Sequence, residues 1–172
     1  MRDGSDPAAI VAALEAAVDA FDEAGYGVPT REEEIEPDAD WKTQLTKACR
    51  LRAAVEQIEG QGFYTATIEL CFGAIERSVE AYALAAGGDT LDDFHDHTYC
   101  YERANALGLL STPPTDDLRQ LYDTNRTDSY YGGRRPTEQQ AVAMRTLSRS
   151  VHEHVRNQIR EGGVCVCRSR SS

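Results

Sequence analysis

Lysine is nearly missing from this sequence. Of 18 basic residues only Lys42 and Lys47 are lysine, against 29 Asp and Glu and a formal net charge of −11. Many carboxylates with almost no lysine is the composition expected of a halophilic protein, while a GC-rich genome favouring arginine codons is the alternative source of the arginine bias. In concentrated salt the Debye length shrinks to roughly 3 Å at 1 M, and neighbouring carboxylates repel little. Long apolar runs are also absent. None approaches the roughly 18–20 residues of a membrane helix, so no membrane partner is expected. The first ten residues hold no basic segment followed by an apolar one, from which a cytoplasmic chain is expected. Period-two alternation and β-branched runs are lacking, which argues against strands. A P-loop, a G-x-G-x-x-G turn, a C-x-x-C and a G-x-S-x-G do not occur, and no cofactor is expected.

Cysteine is present in an odd number, five, which together with the missing export signal predicts reduced thiols rather than a disulfide framework. Cys49 and Cys71 sit in apolar helical patterns and read as small core residues. Cys165 and Cys167 have no further ligands nearby, so no metal is expected there. The cluster Asp92, Asp93, His95, Asp96 and His97 suggests metal chemistry at first sight. Two histidines two positions apart, however, are separated by about 200° around a helix and cannot share a face. Acids in a first helical turn serve the helix dipole without any ion.

A hydrophobic fraction of 41% over 172 residues suits one packed domain. Its periodicity is helical throughout. Asp6 with Pro7 reads as an N-cap and first helical position, and Ile10, Leu14, Val18 and Phe21 follow at helical spacing up to Gly25. A second stripe runs from Trp41 through Leu45, Ala48, Leu51, Val55 and Ile58. The third segment, residues 63–86, is apolar over a broad surface and predicts the central helix of a bundle. Thr90 and Asp93 form a capping-box pattern that predicts a helix through about Leu109. Pro113 and Pro114 break the chain, Thr115 starts a short helix, and residues 127–136 read as a loop. Thr137 and Gln140 form a second capping box, opening a last helix to about Arg160. The predicted fold is all-α, an antiparallel bundle of five or six helices. Residues 1–38 form an N-terminal helix with an acidic connector, 39–161 the bundle, and 162–172 a flexible tail.

Two basic features stand out. Arg145, Arg149, His152, Arg156 and Arg160 fall within one stripe of the last helix about 80° wide, as a row that tracks phosphates or an acidic partner would. Residues 125–136 combine Arg126, Asp128, Tyr130, Tyr131, Gly132, Gly133, Arg134 and Arg135. Arginine for an anion, tyrosine for stacking and a glycine pair for close backbone approach point to a nucleotide or other anion contact. The alternative is a loop pinned by an Arg126–Asp128 pair with a tyrosine covering the core. Charge is unevenly spread: residues 126–172 hold 9 bases and 4 acids, whereas residues 1–125 are strongly acidic.

Over residues 40–160 the order of features resembles the HEPN superfamily of small helical bundles. The resemblance rests on the apolar third helix with its internal acid Glu76 beside Arg77, and on Arg126 followed by Asp128, Tyr131 and Gly132. Thr137 and the final amphipathic helix complete it. The resemblance implies a homodimer whose paired arginine motifs line a cleft, and a minimal nucleotidyltransferase as partner in a toxin–antitoxin-like system. It also implies RNA or nucleotide as ligand, with Tyr130 or Tyr131 close to the motif. Ribonuclease members carry an arginine, four to six intervening residues and then a histidine. Here the corresponding positions are Tyr131, Gly132 and Gly133, and no histidine lies between His97 and His152. RNA cleavage needs a proton acceptor near pH 7, which tyrosine does not supply. The expectation is therefore a non-catalytic binding module, with a ribonuclease of atypical site or a purely structural interaction protein as alternatives.

Overall fold

A computed structural model describes residues 7–22 and 27–159. It contains α1 (Pro7–Asp22), α2 (Asp40–Gln57), α3 (Tyr64–Ala86), α4 (Tyr99–Ala106), α5 (Thr112–Asn125) and α6 (Glu138–Gln158). A 3-10 turn occupies Leu91–Phe94 and a π-helical turn Arg126–Tyr131. No strand occurs among the described residues. The chain divides into two compact units, residues 1–33 and 34–172.

The first unit holds α1, whose seven alanines in sixteen positions favour helix by propensity alone. None of its residues is buried, and Ile10, Leu14, Val18 and Phe21 are all exposed. The expected N-cap Asp6 and terminator Gly25 lie outside the described residues.

In the second unit α3 is the central element, packed mainly against α2 and α6, with α4 on its C-terminal half. Its breadth of apolar surface has a direct consequence: Ile68, Cys71, Phe72, Ala74, Ile75, Val79, Ala81 and Ala83 are all buried. Leu45, Ala48 and Val55 of α2 and Met144, Val151 and Val155 of α6 close the core around them. Cys49 and Cys71 are buried thiols, as the sequence predicts, and so is Cys100.

One polar group sits at the centre. His152 is completely buried, with its Nδ1 2.9 Å from Ser78 Oγ and its Nε2 3.2 Å from Cys49 Sγ. The Ser78 hydroxyl donates its one proton to the Ala74 carbonyl at 2.7 Å, so it accepts from Nδ1–H. Nε2 is then the acceptor for the Cys49 thiol. Three helices, α2, α3 and α6, are thereby joined through one imidazole. This corrects the placement of His152 in the basic row. Ser148, His152, Val155 and Ile159 recur at spacings of four, three and four, and all four are buried.

Three boundaries differ from the sequence reading. The capping box of Thr90 and Asp93 forms, with Thr90 N–H donating to Asp93 at 2.7 Å, but it opens only a 3-10 turn. The chain breaks at residues 95–98, where Asp96 accepts from the Thr98 N–H at 2.9 Å, and α4 begins afresh at Tyr99. Pro113 and Pro114 start α5 instead of interrupting the chain, because first-turn residues need no N–H donor. Residues 126–131 continue α5 as a π turn where a loop is expected. The second capping box is present as predicted: Gln140 N–H donates to Thr137 Oγ1 at 3.2 Å and Thr137 N–H to Gln140 Oε1 at 2.9 Å.

Replacing Ser78 by alanine removes the hydroxyl that meets His152 Nδ1 at 2.9 Å in the buried core, a loss of about 1–3 kcal/mol. The urea midpoint of Ser78→Ala is expected to fall with an unchanged slope. Equal midpoints for the variant and the wild type would show that the contact adds no stability.

Candidate functional site

The π turn brings the sequence-predicted residues together. A Cβ on Gly132 would lie 2.6 Å from the Thr127 carbonyl oxygen and 2.8 Å from that of Asp128, so the tight closure of this turn demands glycine. Gly133 follows at φ 71°, turning the chain toward α6, and Arg134 N–H donates to the Asp128 carbonyl at 2.9 Å. This closure sets Asp128, Arg134 and Arg135 on the rim of a pocket of about 120 Å³ between α3, α5 and α6. Ile68, Phe72, Leu121 and Met144 give it an apolar lining, and Asn125 and Gln140 add amides.

Asp128 pairs with Arg134 across 3.5 Å, not with Arg126 as the pinned-loop alternative supposes. The Arg126 guanidinium instead lies over the Tyr122 ring, 5.3 Å from its centroid, and 5.8 Å from that of Tyr131. Tyr131 is exposed. Tyr130 belongs to the π turn, and its side chain lies outside the described ones.

The basic row of α6 is not one continuous free face. Arg145 is engaged by Glu59, and Arg156 is half-buried with a Nε that has no hydrogen-bond partner. Arg160 lies outside the described residues. The stripe runs along the edge of the core, which is why His152 falls inside it. Arg145 and Arg149, with Arg52, surround a water-sized hole of about 20 Å³ above Cys71 and Ser148. Burial pushes the Cys71 thiol up to about 11, with the Ser148 hydroxyl and the Arg145 and Arg52 charges pulling weakly the other way.

A second constellation escapes the sequence reading. Glu76 and Glu80 of α3 are both buried, at 7% and 5% exposure. His97, from the break between the 3-10 turn and α4, places its Nδ1 3.0 Å from Glu76 Oε2 while its own side chain is 59% exposed. Arg77 donates to Glu80 at 2.6 Å, and Asn125 donates to Glu69 at 3.2 Å. Burial raises Glu76 above the ordinary carboxylate value, opposed by the His97 hydrogen bond and charge and by Arg77 and Arg126. Glu80 is raised by burial as well, with Arg77 opposing and Glu76 adding to the rise. Tyr122, whose ring carries Arg126 on it, lies 6.1 Å from the His97 ring, centroid to centroid. The Tyr101 hydroxyl, buried with no hydrogen-bond partner, is pushed up by burial and by the neighbouring Cys100 and Glu76.

A helical reading of residues 92–97 hides His97, because on one helix His95 and His97 face apart. The segment is not helical, and its partner is 21 positions upstream. The available signal was the buried-position acid Glu76 in an apolar helix, which requires a polar partner from elsewhere in the fold. Among the described residues no group of three or more His, Cys, Asp or Glu side chains could hold a metal ion. No described helix is long and apolar enough to cross a membrane.

The chain belongs to the family described as "Domain of unknown function (DUF8154)", whose model matches residues 5–167. No curated protein and no solved structure matches it.

The raised carboxyls have a pH signature. Unfolded glutamate titrates near 4.5, and in the folded chain Glu76 and Glu80 keep their protons to higher pH. The folded state therefore binds more protons between the two values, and stability present below 4.5 is lost as pH rises through the folded pKa. The unfolding free energy of the wild type minus that of Glu76→Gln/Glu80→Gln should decline as the pH rises above the unfolded glutamate value of 4.5. A difference that stays flat would contradict a raised folded pKa.

Proposed function

We propose that this chain is a HEPN-like helical module that binds a nucleotide or RNA at the pocket between α3, α5 and α6. The observation that carries the reading is the pairing of an apolar floor with the Arg134, Arg135 and Asp128 rim at one opening. An apolar cavity with a few convergent polar groups is the general form of a small-ligand site. Two arginines at its mouth suit a phosphate, which they bind through planar, charge-assisted hydrogen bonds. Arg126 and Tyr131 lie on the same π turn, and their stack offers an exposed aromatic surface beside the pocket. The HEPN-like character rests on the sequence resemblance, and the all-helical architecture agrees with it. The homodimer and the nucleotidyltransferase partner of a toxin–antitoxin-like pair rest on the resemblance alone.

The Glu76–His97 dyad favours a second reading, a metal-independent ribonuclease. Glu76 accepts from the Nδ1–H of His97, which leaves Nε2 as a base on a solvent-exposed ring. Arg126 stands on the other ring neighbour, Tyr122, with a guanidinium suited to a phosphate. In this reading Nε2 takes the proton of a 2′-hydroxyl, the oxygen attacks the adjacent phosphorus to form the 2′,3′-cyclic phosphate, and the P–O5′ bond breaks as the 5′-oxygen takes a proton from water to leave as a hydroxyl.

Calorimetric titration of the chain with nucleoside monophosphates in concentrated salt tests the first reading. Arg134→Ala/Arg135→Ala is expected to weaken binding about 10- to 100-fold, the value of one or two charge-assisted hydrogen bonds. Unchanged affinity in the variant would remove the pocket from the reading. For the second, incubation with an RNA oligonucleotide should release cyclic-phosphate products with wild type and none with His97→Ala. Intact RNA in both reactions ends it.

A further inference from the structure

A separate group of residues converges where α2, α3 and α6 meet. We infer that Arg52, Arg145, Arg149 and the Ser148 hydroxyl form a site for a small inorganic anion, taken up from the surrounding salt, that joins α2 to α6.

The charge at this junction is lopsided. The hole of about 20 Å³ is lined by Arg52, Val55 and Glu56 of α2, Cys71 of α3, and Arg145, Ser148 and Arg149 of α6. Three guanidiniums therefore border one opening. Glu56 stands on the same rim and Glu59 engages Arg145, so two carboxylates face three cations and one positive charge is left over. Guanidiniums hold only donors and stay charged at every working pH. An acceptor of negative charge is the complement of such a rim.

The floor of the hole points the same way. Ser148 is 1% exposed, and its Oγ has no hydrogen-bond partner. Ser78, equally buried on α3, behaves differently: its hydroxyl donates to the carbonyl four residues back, at 2.7 Å. That outlet is the usual one for a serine inside a helix, and Ser148 does not take it. Burial pushes the neighbouring Cys71 thiol up to about 11, so it stays neutral, and neutral sulfur is a weak acceptor that uses little of the hydroxyl's donor strength. A buried donor left in this state is costly, and an anion in the hole satisfies it.

The space suits a small guest. About 20 Å³ exceeds the roughly 10–15 Å³ that one water needs. Chloride, little larger than water, enters whole; a phosphate enters by one oxygen and leaves the rest among the arginines. Both offer the same chemistry, an anionic acceptor in direct contact with guanidinium and hydroxyl donors. Such a site works by contact and fills by mass action, so even weak affinity suffices in concentrated salt.

The test uses the full chain with chloride as the probe, added to sodium gluconate at constant ionic strength. Wild type is expected to broaden the quadrupolar NMR line of chloride, and Arg149→Gln and Ser148→Ala should each lose most of that excess. Arg149 is exposed, so its replacement leaves the core intact. Thermal melts of the same samples read the joint between the helices. A tenfold rise in chloride beyond half-saturation should favour folded wild type about tenfold, raising its Tm by about 3–6 °C, and should not do so for Ser148→Ala. Equal linewidths in wild type and both variants overturn the site. Linewidth lost in the variants with no chloride gain in Tm overturns the joining of α2 to α6. Phosphate separates the two sources: loss of the excess linewidth at millimolar phosphate assigns the site to a phosphate oxygen, and its persistence there assigns it to halide.

Discussion

A fully buried imidazole must find two hydrogen-bond partners in the dry interior, and His152 finds them on two different helices. That requirement ties the bundle together. Apolar side chains of similar size tolerate small slides of one helix along another, because dispersion is short-ranged but not directional. A hydrogen bond to a ring nitrogen is directional and leaves a penalty of about 1–3 kcal/mol when broken. Cys49, Ser78 and His152 therefore fix α2, α3 and α6 in one rotational and axial setting. Once α3 is set, its remaining surface is also set. The helix turns Ile68 and Phe72 toward the pocket, and Glu76 and Glu80 toward α4 and His97.

The acid face of α3 is the costly counterpart of that setting. Glu69, Glu76 and Glu80 are spaced seven and four apart and share a stripe, and two of them are buried. Each has a partner: Asn125 from α5, His97 from the break before α4, and Arg77 from α3 itself. The break at residues 95–98 thus has a physical purpose, since an imidazole on a continuous helix starting at Thr90 would not be placed by the local Asp96–Thr98 turn. It also explains why the helix predicted from the capping box stops after one turn. Carboxyls raised by burial beside an exposed histidine are the kind of arrangement that concentrates at functional sites.

Much of this was legible from periodicity. The helical class, the central place of residues 63–86, the core thiols Cys49 and Cys71, and the capping box at Thr137 all follow from spacing and residue type. So does the clustering of Asp128, Arg134 and Arg135, because a glycine pair between two helices requires the chain to fold back there. What could not be read is what depends on contacts across long sequence separations. His152 and Cys49 are 103 positions apart, and His97 and Glu76 meet only because α4 returns to α3. The π turn was equally hidden: no side-chain pattern marks it, and its one trace is the missing Cβ of Gly132. The row of arginines on α6 was misleading for a geometric reason. A stripe at the border of the core includes buried and exposed positions at the same spacing, and only packing decides which is which.

The composition and the pocket bear on each other. In concentrated salt a Debye length of roughly 3 Å removes long-range attraction between an exposed arginine and a phosphate, leaving direct contact alone. Arginine keeps more of its value there than lysine, because its planar fork engages an anion through two short, directed hydrogen bonds. The apolar lining keeps its value too, since salts excluded from protein surfaces strengthen burial of apolar area. In the proposed reading, a site built from Phe72, Ile68 and Met144 below and arginines above divides its affinity between the two interactions that salt weakens least. Under the halophilic reading of the composition, the near-absence of lysine and the form of the pocket answer to the same solvent. An all-electrostatic row such as Arg145, Arg149 and Arg156 would lose most of its reach under those conditions, which is a physical reason to place recognition in the pocket and not on the face of α6.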